Sequence, residues 1–247
     1  MAILLLIFAS FVGSSLKAVG GFGFATLATP VIAYFWDVPT AIAVISIPTL
    51  LLSFLNAWRS REGRHIPITP FYLFLVATLI GMGVGFTVLL GTDPHLMKIL
   101  LGLFLIIQTI WQIVAKKNNI APKNSRPRSL FIGFLAGIML ATVNMPSHMI
   151  ASYLSGLNIS KHSYLFLLSG FQVLLRTLAI ILLFFAGTYT TNTVGLIVAV
   201  TIPVLLGYVM GALIFRRLSD RLFFQIISAI LIIMGSLLII QNWRFLF

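Results

Sequence analysis

Long apolar runs separated by brief polar interruptions fill this chain from end to end. Six are unbroken and of bilayer length, over residues 39–58, 70–90, 97–115, 163–187, 193–215 and 222–241, and each predicts a transmembrane helix. Two further stretches, 2–35 and 129–156, are too long for one ordinary helix and are interrupted near their middles. The first breaks at Gly20-Gly21-Phe22-Gly23, with Pro30 further on; the second breaks over residues 141–146, where Asn144 and Pro146 stand. After each break the chain resumes with a short half-helix, a turn and three spans. The same order thus recurs at an offset of roughly 120 residues, which predicts an internal duplication. The halves are 1–115 and 129–247, and the basic stretch 116–128, KKNNIAPKNSRPR, links them on the cytoplasmic side.

Composition turns this pattern into a class. The chain is 60% hydrophobic and only 8% charged, with a mean hydropathy of +1.12, values outside the range of soluble domains. An all-α, polytopic membrane protein follows. The net charge of +12 would suit a nucleic-acid partner, but most of the cations lie in three clusters between apolar runs, where they report membrane orientation instead. Cysteine is absent, which removes disulfides and thiolate metal sites. The N-terminal MAILLLIFASFVG has neither a basic leader nor a small-residue cleavage pattern and reads as a retained membrane segment.

Positive charge then separates two topologies. With each broken stretch as one crossing there are eight simple spans, and Lys161, Arg216, Arg217 and Arg221 fall outside. With each as a re-entrant hairpin, every half has three crossings and those cations join Arg59, Arg61, Arg64 and the linker inside, leaving only Lys98 and Arg244 outside. The hairpin arrangement satisfies the positive-inside rule better. Because three is odd, it also makes the halves inverted repeats. Non-helical backbone at membrane depth survives only where protein buries it or a wet cavity receives it, and a half-helix starting there offers free N–H groups to an anion. Gly20, Gly21 and Gly23 are therefore candidate site residues, with close helix packing as their structural alternative.

The most unusual residue is Arg176, deep in YLFLLSGFQVLLRTLAIILLFFAG. A guanidinium at such depth costs between about 3 and more than 10 kcal/mol. Ser169 and Gln172 share its helix face by their spacing. The corresponding span of the first half carries a similar stripe, Ser46, Thr49, Ser53 and Asn56, with Asn56 aligned to Arg176. Interhelical hydrogen bonding is the plainer role for such hydroxyls and amides. Lys17 falls at a hairpin tip, as a site residue or a snorkelling lysine. Asn144 stands within the second break and His148 follows it, where they either meet a ligand or satisfy broken backbone. The four acids, Asp37, Glu62, Asp93 and Asp220, all lie in or beside loops. An interior with cations and no carboxylate should attract anions, and Arg offers oxyanions a planar fork. A Ser147–His148 hydrolase pair would be poorly placed and lacks an orienting acid. No metal set exists, and no catalytic role or cofactor is expected.

The segment GGFGFATLATPVIAYFWDVPTAIAVIS resembles the signature of the sulfite exporter TauE/SafE family: a glycine cluster, a later proline, then a span rich in small residues. GFLAGIMLATVNMPSHMIASYLSGLNIS is similar to that family's second repeat, with Ala141, Thr142, Val143 and Asn144 where a further glycine cluster is usual. The resemblance covers essentially the whole chain and implies a permease for small anions such as sulfite, sulfonates or short carboxylates. The expectation is a multi-pass protein of the cytoplasmic membrane that works by alternating access. Its partners would be a small anion and the lipid bilayer, without nucleic acid, and a homo-oligomer is compatible with such a chain. The competing readings are an anion channel on the same scaffold and, further off, a membrane-embedded enzyme or assembly factor.

Overall fold

A computed structural model describes residues 2–20, 23–64, 71–117, 125–157, 159–214 and 220–245. They form α1 (Ala2–Gly20), α2 (Phe24–Phe35), α3 (Val38–Arg59), α4 (Tyr72–Gly91), α5 (Pro94–Lys117), α6 (Arg126–Val143), α7 (Ser147–Ser155), α8 (Lys161–Phe185), α9 (Thr191–Ile214) and α10 (Asp220–Asn242), with short 3-10 turns at Arg61–Arg64 and Trp243–Phe245. All six uninterrupted spans appear, as α3, α4, α5, α8, α9 and α10. Several starts are set by local chemistry. Asp37 caps α3 by accepting from the Thr40 amide at 2.7 Å, and Ser160 caps α8 by accepting from the Ser163 amide at 3.2 Å. Such caps satisfy helix amides that have no intrahelical partner.

Both broken stretches fold back on themselves. Gly23 adopts φ 126°, and a Cβ there would lie 2.9 Å from that of Leu16. Its glycine identity is thus required by the turn as well as by packing. A Cβ on Gly13 would stand 3.0 Å from the Phe24 Cα, so α2 starts by running back along α1. Pro30, further on from the break, lies within α2, which continues through it to Phe35.

At the second break Asn144 is left-handed, with φ 63°, and the Met145 amide donates back to the Met139 carbonyl at 3.1 Å. The chain then returns through α7, and Tyr153 near its end reaches Ser129 near the start of α6. By length and composition α6 is itself one of seven span-length helices among the described residues. The return of α7 beside its start makes it the inbound arm of a hairpin.

Helix pairing follows small residues. On α4 Gly81 and Gly85 lie against α6, whose Gly133 and Gly137 lie against α4 in return, each within touching distance of the partner backbone. On α9 Gly207 and Gly211 meet α1 at Phe11, Ser14 and Ser15 in the same way, and Ser15 Oγ donates to the Gly207 carbonyl at 2.7 Å. Backbones approach this closely only without side chains between them. α4 on α6 and α9 on α1 are the same pairing with the halves exchanged.

The remaining major pairs, α5 with α10 and α3 with α8, join each helix to its own counterpart. Both are antiparallel. His95 at the start of α5 bonds Asn242 at the end of α10 at 2.7 Å, and Gly63, just past α3, abuts the backbone of His162 and Ser163 at the start of α8. Antiparallel self-pairs are what an axis in the membrane plane, relating inverted halves, requires.

The Arg61–Arg64 turn, the start of α8 and the start of α6 share one face of the molecule, while Asp37, His95 and the end of α10 share the other. Large apolar side chains cover the flanks, including Trp111 at 72% and Phe185 at 81% exposure, whereas Lys17, Arg176 and many serines and threonines lie inside. That distribution suits a lipid solvent.

Candidate functional site

The site grows from the α3–α8 pair. Ser169, Gln172 and Arg176 on α8 and Ser46, Thr49 and Ser53 on α3 are all buried, and Asn56 nearly so. Running antiparallel, the two polar stripes predicted on separate spans come together. Ser53 Oγ lies 3.2 Å from Gln172 Oε1.

Lys17 enters this seam from the end of α1. Its ammonium donates to Ser53 Oγ at 2.8 Å, to Gln172 Oε1 at 2.8 Å and to the Thr49 carbonyl at 3.4 Å. Ser53 gives its own proton to the Thr49 carbonyl at 2.7 Å, so its lone pair is free for Lys17. Three donors thus meet three acceptors. The Lys17 carbonyl takes the Asn56 amide at 3.3 Å, nearer the end of α3 than Ser53 or Thr49. The side chain therefore points inward, away from the closest face. A snorkelling lysine would point the other way.

Arg176 lies fifteen residues past Lys161 and nine before Phe185, about 22 Å and about 13 Å along the helix axis. Its Nη2 donates to the Asn144 carbonyl at 2.9 Å, where α6 ends. Asn144 Nδ2 in turn donates to Thr29 Oγ1 of α2 at 3.1 Å, so the first hairpin's outbound arm meets the second hairpin's break. Nε and Nη1 of Arg176 have no partner among the described residues, and neither do Asn144 Oδ1, Thr49 Oγ1 or Ser169 Oγ. A guanidinium has five N–H groups. With one committed to Asn144, a complete two-donor edge remains whichever Nη2 proton is used.

Three contributors were not legible from sequence. Thr29 was one; Tyr208 of α9 is another, donating to Asn56 Oδ1 at 2.6 Å while its ring lies 5.8 Å from the Arg59 guanidinium carbon. The third is Tyr189, between α8 and α9. Burial pushes its phenol up to about 12, against the pull of the Arg176 charge, which puts the two within electrostatic reach. No periodicity marks these residues, since their partners are distant in the chain.

Other predicted residues stand apart. Gly20 ends α1 and Gly23 caps α2, serving the turn, while Gly21 lies outside the described residues. Beyond Gly23 the amides of Phe24, Ala25 and Thr26 precede the first intrahelical bond, made by Leu27 at 3.2 Å, and all three residues are buried. His148 is half-buried in the first turn of α7.

These features define a class: a multi-pass helical membrane protein with two broken elements converging on buried cations. The particular family follows from comparison with known proteins. The sulfite exporter TauE/SafE family model matches residues 5–238, and the chain belongs to that family. Membership makes it a membrane permease. No curated protein and no solved structure matches the chain.

Proposed function

We propose that this permease carries a small oxyanion, such as sulfite, a sulfonate or a short carboxylate, by alternating access, and that the anion docks on Arg176. The observation that carries the reading is the unpartnered two-donor edge on a fully buried guanidinium that no carboxylate neutralises among the described residues. Such an edge matches two oxygens of a sulfur oxyanion or carboxylate. Thr49, Ser169 and Asn144 supply further polar groups, and Lys17, held by Ser53 and Gln172, adds positive potential. Asn56 supports Lys17 from below, and the half-helix starts after Gly23 and near His148 turn their positive ends toward the anion.

In this reading residues 1–115 and 129–247 are inverted repeats about the 116–128 linker. The protein resides in the cytoplasmic membrane with the Arg61–Arg64 face inward, as the positive-inside rule requires. Homo-oligomerisation is compatible with the exposed apolar flanks.

Thermal stabilisation of the purified protein by sulfite, sulfonates and short carboxylates tests the site, because a ligand of the folded state raises stability with occupancy. At least one anion should raise the unfolding temperature of the wild type and leave Arg176→Gln unmoved. Equal stabilisation of both proteins would remove Arg176 from the site.

A further inference from the structure

We infer that this chain is an obligate anion exchanger: its site crosses between faces only when loaded, so entry of one anion is tied to exit of another. The inference rests on the permease reading above. Arg176 keeps its proton in any protein environment. The oxygens around Lys17 hold an ammonium as well. The Thr49 carbonyl and Gln172 Oε1 can only accept, and Ser53 has already given its proton to Thr49. An ammonium's three protons match these three oxygens, whereas a neutral amine would have to draw the Ser53 proton away from the Thr49 carbonyl. Lys17 bonds Gln172, and Arg176 follows one helical turn later on the same face, where residues four apart are neighbours.

Two cationic side chains therefore share one buried region, and among the described residues neither is paired with a carboxylate. Asp37 and Asp93 cap helix starts, Glu62 lies in the 3-10 turn and Asp220 begins α10. All four carboxylates are confined to helix ends or connections.

Alternating access passes through a closed state that neither water phase reaches. Loaded with a dianion, the pair is neutral there, and with a monoanion it keeps one charge. Empty, it strands two like charges where isolated ions are strongly penalised. The loaded carrier crosses, and the empty one waits for an anion from whichever side it faces. A one-for-one swap of like anions moves no net charge and needs neither a proton nor a sodium ion.

The test uses the purified full chain in liposomes preloaded with radiolabelled sulfite, with potassium and valinomycin on both sides to remove any diffusion potential. Efflux into unlabelled sulfite should exceed efflux into dextran sulfate, too large for the site, by about tenfold or more, since stranding penalties of several kcal/mol fall on the empty step alone. Equal rates in the two media would overturn exchange and leave the permease reading intact. No efflux in either medium would overturn both. Lys17→Met removes one stranded charge and should bring the ratio closer to unity, whereas Lys17→Arg should preserve it. A ratio unchanged in Lys17→Met would show that the Lys17 charge does not enforce coupling.

Discussion

Asn56 and Arg176 stand 120 residues apart, on counterpart helices of the two halves, and perform the same local task. Each donates to a carbonyl near the end of an inbound hairpin arm, Asn56 to Lys17 at 3.3 Å and Arg176 to Asn144 at 2.9 Å. The first half accomplishes this with a neutral amide. Capping therefore does not account for a guanidinium, and the difference isolates its charge and spare donors as a surplus. Lys17 carries the first half's cation, but its three donors are all engaged. One cation has its donors engaged and the other keeps donors spare, and it is on the spare ones that the proposed ligand site rests.

Making the halves alike is the strongest way to break this contrast. Arg176→Asn supplies the side-chain amide that Asn56 carries but loses the charge and the two-donor edge, and sulfite uptake into proteoliposomes should fall about a hundredfold, as expected for two charge-assisted bonds. Uptake within a few-fold of wild type would make Arg176 a cap like Asn56. The next largest effect concerns the seating of the second hairpin. A Cβ on Gly137 would collide with backbone of Thr78 and Met82, whereas one on Gly83 meets nothing within 4 Å. Gly137→Ala should destabilise by about 1–3 kcal/mol and lower the unfolding temperature in detergent, with Gly83→Ala as an unaffected control.

Arg176→Lys sharpens the comparison by keeping charge while discarding the fork. Uptake should drop about tenfold, between wild type and Arg176→Asn, because an ammonium acts as a point charge. The smallest effect is expected at Tyr208→Phe, which removes the 2.6 Å bond to Asn56. Hydrogen bonds inside membrane proteins average about 0.6 kcal/mol, so thermal unfolding should shift slightly while the exchange ratio holds. A large loss of transport would give Tyr208 a role beyond bracing Asn56.

Much of the fold was legible because its signals are local. Span ends fell within a few residues of the helices, and both interruptions sit where Gly23 and Asn144 take positive φ. A proline removes a donor and crowds the preceding turn, yet α2 continues through Pro30 among buried residues. The polar stripe on α8 was readable because three polar residues on one face of a greasy helix have few alternatives. Its partners were harder. Thr29 with Asn144 and Tyr208 with Asn56 join residues 115 and 152 positions apart, and nothing in the local pattern of either member announces the other. The charge inventory did more than any motif: four carboxylates at helix ends already implied that interior cations lacked an internal counter-ion.

One contact bears on how such halves can move. Where α5 crosses α10, a Cβ on Gly102 would lie 2.6 Å from the Gly235 carbonyl, and one on Gly235 would lie 2.8 Å from the Gly102 carbonyl. Each half thus touches its counterpart through bare main chain. If the permease works by the proposed alternating access, a glycine contact of this kind would act as a bearing, since interlocked side chains would have to climb over one another for these helices to shift.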